Sequence, residues 1–221
     1  MSNQGAILFL DIDDVLCMNR SYGGFDVIDA VHQRHDAPEK VFAEVFDKAA
    51  CAALETVHQA MEGRLRYVVS STWREHLDRE QLVQVFLKGG LGFVASALHD
   101  AWCTPHQSHR GLRVDEIAAW LDRFYQGQPF AIVDDLYSGS SLEPALANRS
   151  HPFHHRVVLC EEGIGLLHEH VQPLLQALSQ PISGINDISG TNDINSINGS
   201  THEVQPGALD DQGAQRTEGA Q

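Results

Sequence analysis

Four short apolar runs, AILFL (6–10), RYVV (66–69), FAIV (130–133) and RVVLC (156–160), alternate with stretches of helical periodicity. AILFL has no polar residue to turn toward water, so a strand built from it must be covered on both faces, the situation of a central strand in a parallel sheet. Strands alternating with helices imply parallel pairing through short crossovers, and the expected architecture is an α/β three-layer sandwich.

The helical stretches can be read by spacing. In FDKAACAALETVHQAME, the residues Ala50, Leu54, Val57 and Met61 recur at helical intervals. Thr72 and Glu75 are spaced as a capping box, and Asp78 with Gln81 can cap the next helix, which Gly89 and Gly90 end. GLGFVASAL (90–98) reads as a weaker strand. RVDEIAAWLDRFYQG (113–127) predicts an amphipathic helix with Val114, Ile117, Leu121 and Phe124 on one stripe and Gly127 closing it; GLLHEHVQPLLQALS (165–179) predicts the last helix. Residues 17–45 are irregular and form a small insert. The domain is expected to span 1–180. From 181 to 221, the degenerate repeats ISGIND, ISGTND and INSING and a Gly/Gln/Asp-rich end predict a disordered tail, because three short copies cannot bury an apolar face.

Composition excludes some functions. The formal charge is −15, and with six acids and one arginine in 181–221 the tail holds −5 of it. Such a field disfavours generic nucleic-acid binding while allowing a local basic pocket for one phosphate. Cys17, Cys51, Cys103 and Cys160 have no CxxC spacing and read as reduced thiols. His151, His154 and His155 in HPFHH read as a turn of exposed imidazoles rather than a zinc site. No run approaches the roughly 18 apolar residues of a membrane span, and MSNQG lacks a basic leader, so a cytoplasmic protein is expected.

The chemistry gathers where strands end. In open parallel sheets, ligands bind beyond the carboxyl ends of the strands. Asp11, Asp13 and Asp14 follow AILFL; Ser70 and Ser71 follow RYVV; Asp134 and Asp135 follow FAIV. Carboxylates brought together repel, so such a cluster calls for a cation, and hard oxygen donors point to magnesium. A carboxylate can attack phosphorus to give an acyl phosphate. A second acid two residues on can protonate the leaving oxygen and then deprotonate water, while serine and a cationic side chain hold the phosphate oxygens.

LDIDDVL resembles the signature of the haloacid dehalogenase (HAD) superfamily, an apolar strand ending in DxDxxL. VVSSTWR resembles the second motif of a HAD subgroup with S-S-x-W-R, which includes the HAD domains of Swiss-army-knife RNA repair proteins. The helix pattern R-x-x-E-I-x-x-W-L (Arg113, Glu116, Ile117, Trp120, Leu121), VDD at 133–135, TP at 104–105 and GIGLL near 165 complete the likeness, in order, over residues 6–178. The resemblance implies a Rossmann-like parallel sheet with a minimal cap insert and a magnesium-dependent phosphomonoester hydrolase working through an aspartyl phosphate. Asp11 would be nucleophile and metal ligand. Asp13 would be the general acid/base, its main-chain carbonyl also meeting the metal. Ser70, or Ser71, would bind phosphate. Arg113, with Arg110 as runner-up, would stand where most HAD enzymes have lysine. Asp134 and Asp135 would bind metal, the latter directly or through water. Asp14 departs from the usual glycine and adds a third carboxylate.

Substrates implied are small phosphorylated metabolites or nucleotides; a nucleic-acid end is the alternative the acidic surface disfavours, and a catalytically silent binding module is another. A phosphate-accepting receiver domain would order its motifs differently. Trp73 and Trp120 are expected to pack rather than stack on bases, Thr72 to cap a helix, and His106 and His109 to lie near the site without touching substrate.

Overall fold

The computed structural model describes residues 5–33, 40–106 and 112–180. The tail from 181 to 221, part of the insert, His109 and Arg110 lie outside the described residues. Five strands, β1 (Ala6–Leu10), β2 (Leu65–Val69), β3 (Leu98–Cys103), β4 (Phe130–Asp135) and β5 (Val157–Cys160), form one all-parallel sheet in the order β3-β2-β1-β4-β5. The helices are α1 (Gly24–Val31), α2 (Val41–Glu44), α3 (Lys48–Ala60), α4 (Arg79–Lys88), α5 (Gly92–Ser96), α6 (Arg113–Phe124), α7 (Glu143–Ala147) and α8 (Val171–Ser179).

The unbroken apolar run of β1 has the cause expected of it. Ala6, Leu8 and Leu10 point into one core with Leu54 and Val57 of α3, Val85 of α4 and Leu174 of α8. Ile7 and Phe9 point into the other, with Ile117, Trp120 and Leu121 of α6. Alternate side chains face opposite ways along a strand, so a strand sandwiched between two helix layers needs apolar residues at every position. Phe9 meets Trp120 edge-on at 5.2 Å and Phe130 at 5.9 Å, which locks the second layer to the sheet centre. Among the described residues no helix is long and apolar enough to cross a membrane.

Three local expectations need correction. GLGFVASAL is not a strand: its middle forms α5, and the strand, LHDAWC, begins only at its last residue, Leu98. β3 sits at the sheet edge and is only half buried, so His99 and Asp100 interrupt the apolar signal that marks the inner strands. The stripe on α6 runs through Arg113, Glu116, Ile117, Trp120 and Leu121; Phe124 is 41% exposed, and the helix ends there because Tyr125 turns extended, before Gly127 is reached. Thr72 does not cap: Ser71 precedes a single 3₁₀ turn over Thr72–Glu75, without a side-chain capping bond, and Glu75 instead pairs with His106 at 3.0 Å. The box at Asp78 and Gln81 is formed in both directions.

Candidate active site

The sheet order reverses between β1 and β4, the switch point where the crossovers diverge and a crevice opens at the strand ends. Parallel register pairs Leu10 with Val133, and the Asp11 N–H donates to the Val133 carbonyl at 3.0 Å. Asp11 and Asp134 therefore leave neighbouring strands side by side. On the other flank, the Ser70 N–H donates to the Leu10 carbonyl at 2.9 Å, and the Thr104 N–H to the Val69 carbonyl at 3.0 Å.

Asp11, Asp134 and Asp135 each offer a carboxylate oxygen within 4.8 Å of the others, and all three are buried. They are the only such metal-capable group among the described residues; in HPFHH, His151 accepts from the Phe153 N–H, His154 bonds the Ala145 carbonyl, and only His155 of the three is exposed. Arg113, at the start of α6, reaches the same point. Its Nη2 donates to Asp11 Oδ1 at 3.2 Å, its Nε lies 2.7 Å from Asp134 Oδ2 as an ion pair without hydrogen-bond alignment, and its Nη1 donates to Glu116 Oε2 at 3.3 Å.

Electrostatics make the cluster costly. Burial, then the neighbouring Asp134, push the Asp11 carboxyl well above the usual carboxylate range, and Arg113 offsets this only in part. Burial likewise lifts Asp134 to about 6 against the pull of Arg113 and the Ser138 hydroxyl. Arg113 itself is held more firmly protonated: burial would weaken it, but Asp134, Asp11 and Glu116 together outweigh that.

Asp13 stands apart from the triad. Its Oδ2 accepts from the Trp73 indole N–H at 2.9 Å, beside a recess of about 150 Å³ shared with Asn19 and Thr72. Burial raises its carboxyl, and the indole bond opposes that rise. The insert closes on this pair through Gly24, where a Cβ would stand 2.8 Å from Trp73 Nε1 and 3.1 Å from Asp13 Oδ1. Adjacent glycines at 23 and 24 are the sequence feature that permits this close approach. Asp14 adopts φ +52°, the left-handed region where glycine is cheapest and Asp is among the better-tolerated substitutes. Its carboxylate accepts from the Gly163 N–H at 2.8 Å, anchoring the β1 loop to the segment after β5.

Four side chains with no role assigned from the sequence join the site. Ser138 donates its hydroxyl within reach of Asp134 (2.6 Å) and Asp135, and the N–H groups of Tyr137 and Ser138 donate to Asp135 Oδ1 at 2.6 and 3.0 Å. DxxS after a strand is a local turn pattern and could have signalled this. Arg74 Nη2 donates to Glu116 Oε1 at 2.6 Å, both side chains being 3% exposed. Thr104, like Ser70 and Ser71, is buried with a hydroxyl that has no hydrogen-bond partner. Trp73 and Trp120 do pack, Trp73 on Phe46 and Trp120 on Phe9, and each spends its N–H on an acceptor, Asp13 and the Ala101 carbonyl respectively.

The donor set suits a hard divalent cation. Among the described residues, four buried carboxylates (Asp11, Asp134, Asp135, Glu116) face two buried guanidiniums (Arg74, Arg113), a formal balance of −2, and the triad presents oxygen alone. Protonation is the other way to relieve the cluster. Asp134 takes up its proton more readily in the folded state than in the unfolded chain, so without metal its contribution falls as pH rises from about 4 to about 6. A cation bound to the ionised triad reverses that loss. Mg²⁺ at roughly ten times its dissociation constant is expected to raise Tm by about 3–5 °C at pH 7.5, and by less than half as much at pH 5. Equal shifts at both pH values in a differential scanning calorimetry series would show that these carboxylates do not hold the ion.

A groove of about 580 Å³ opens beside Arg113, lined also by Arg74, His106, Leu112, Tyr137 and Ser141, with Tyr137 82% exposed on its rim. Residues 7–171 match the family described as "HAD domain in Swiss Army Knife RNA repair proteins". Neither a curated protein nor a solved structure matches the chain. With a family match across most of its length, an all-parallel sheet, and DxD, SS, R and DD gathered at one rim, the chain belongs to the HAD superfamily of phosphatase-type hydrolases, in its family of HAD domains from Swiss Army Knife RNA repair proteins.

Proposed function

We propose that the protein is a Mg²⁺-dependent phosphomonoester hydrolase that works through an aspartyl phosphate on Asp11, with a small phosphorylated metabolite or nucleotide as substrate. The observation that carries this reading is the meeting of Asp11, Asp134 and Asp135 at the switch point with Arg113 bridging two of them. Asp11, Asp134, Asp135 and the Asp13 main-chain carbonyl would hold Mg²⁺, whose charge offsets repulsion between these acids and a phosphate dianion.

The chain's own groups do the rest. The Asp11 carboxylate attacks phosphorus, forming an O–P bond as the ester O–P bond breaks. Asp13, its carboxyl raised by burial and aimed by the Trp73 N–H, gives its proton to the leaving oxygen. Water then attacks the phosphoryl group, passes a proton to Asp13, and the Asp11–phosphorus bond breaks to release inorganic phosphate. Arg113 and the Ser70 hydroxyl, with Ser71 beside it, hold the non-reacting oxygens; both hydroxyls have unspent hydrogen-bonding capacity.

A second reading, phosphate removal from a nucleic-acid end, draws on the exposed Tyr137 at the groove rim, a surface on which a base could stack, and on the repair proteins in which the family is described. The acidic charge favours the first. Purified protein is expected to hydrolyse p-nitrophenyl phosphate with Mg²⁺ and to lose this with EDTA. Across a panel of nucleotides, sugar phosphates and phosphorylated DNA or RNA ends, small esters should lead. Preference for the ends would install the second reading, and no turnover of any ester would leave a silent binding module.

A further inference from the structure

We propose that Glu116, clamped between Arg74 and Arg113, is a positioning residue that sets the divalent-cation affinity of the carboxylate site by limiting how much of the Arg113 charge reaches Asp11 and Asp134. The inference rests on the reading of that site as a cation site.

Arg113 is the one guanidinium touching the triad among the described residues, and it divides three ways: Asp11 at 3.2 Å, Asp134 at 2.7 Å and Glu116 at 3.3 Å. A guanidinium facing only Asp11 and Asp134 would neutralise half the charge a cation needs and would occupy its neighbourhood. Glu116 draws part of that charge away from the sheet. Arg74 works in the opposite sense. It binds Glu116 at 2.6 Å, bonds the Ser71 carbonyl, and keeps a buried Nε without a partner. By consuming one oxygen of Glu116 it weakens the grip of Glu116 on Arg113. The hydrogen bonds and ion pairs of Glu116 go to Arg74 and Arg113, not to the triad, so its effect is transmitted through Arg113.

Charge arithmetic gives the two positions opposite signs, which a purely structural role would not. Glu116→Gln removes a negative charge and returns Arg113 to the triad. Arg74→Gln removes a positive charge and frees Glu116 to hold Arg113. Across roughly 8 Å with solvent screening at an effective dielectric of about 60, one unit charge is worth about tenfold in the affinity of a divalent ion.

The test is Mg²⁺ binding by isothermal titration calorimetry on the full chain, with melting curves to verify folding. Glu116→Gln is expected to weaken Mg²⁺ binding about tenfold and Arg74→Gln to tighten it severalfold, and the charge-balanced double variant to return within about threefold of wild type. Weakening in both single variants, no change in either, or a double variant worse than both would overturn the inference. If Glu116→Gln does not fold, Arg74→Gln decides alone: tighter binding supports the proposal and weaker binding overturns it. A wild type that binds no Mg²⁺ overturns the cation-site reading itself, a result distinct from a binding wild type with two weakened variants.

Discussion

Asp11→Asn is expected to cut hydrolysis of p-nitrophenyl phosphate to below about one ten-thousandth of wild type while leaving the fold intact. The substitution keeps the shape of the side chain and removes the negative oxygen that would attack phosphorus. The same change should not destabilise the metal-free protein. Burial and Asp134 already oppose ionisation of Asp11 more strongly than Arg113 supports it, so replacing the carboxyl by a neutral amide relieves repulsion. Without metal, Tm should hold or rise by about 2–4 °C, the equivalent of roughly 1 kcal/mol. Loss of activity together with preserved or increased Tm is the signature of a group kept for chemistry. A variant that retains measurable turnover would remove Asp11 from the nucleophile's role.

Arg113→Ala is expected to have the opposite effect on stability. It withdraws the guanidinium from Asp11, Asp134 and Glu116 at once and leaves four buried carboxylates with Arg74 as their remaining buried counter-charge among the described residues. Stranding buried charges costs about 3–5 kcal/mol, which for a domain of this size is roughly 10 °C in Tm. Two treatments should recover part of it: Mg²⁺ at pH 7.5, and a shift to pH 5, where Asp134 takes up its proton. Activity should also fall by about 10²–10³, as when one preorganised donor is removed from a charge-stabilising site. Arg113→Lys should fall between, because an ammonium cannot reach three carboxylates with a planar fork. An Arg113→Ala protein melting within about 2 °C of wild type would mean that the cluster is neutral as folded.

What could be read from the chain followed burial. Of the inner strands, β1 and β4 carry nothing polar until their ends and β2 has Arg66 near its start, and DxD, SS and DD mark the ends because acids and hydroxyls at the carboxyl rim are the abrupt break in an apolar run. Arg113 was legible from its helix-start position in a pattern with Glu116 and Trp120. The edge strand β3 was not, since one half-wet face lets His99 and Asp100 into it and its hydrophobic signal drops below that of the neighbouring short helix. Partnerships across the fold were equally hidden. Nothing local ties Arg74 to Glu116, Trp73 to Asp13 or Asp14 to Gly163; each pair meets only after the sheet has brought distant segments to one rim. Glu116 illustrates the limit: its place in the motif is visible in the chain, whereas its clamp between Arg74 and Arg113 exists only in the fold.

The position of β1, paired on both edges and covered on both faces, has a kinetic meaning. Amides in such a strand exchange with solvent only when the whole domain opens, whereas loops at the rim fluctuate locally. Asp11 thus directly follows a strand expected to be among the last to open, and Asp13, two residues later, rides where the chain has already left the sheet. One carboxyl takes its position from the sheet itself, while its neighbour takes its aim from the Trp73 N–H.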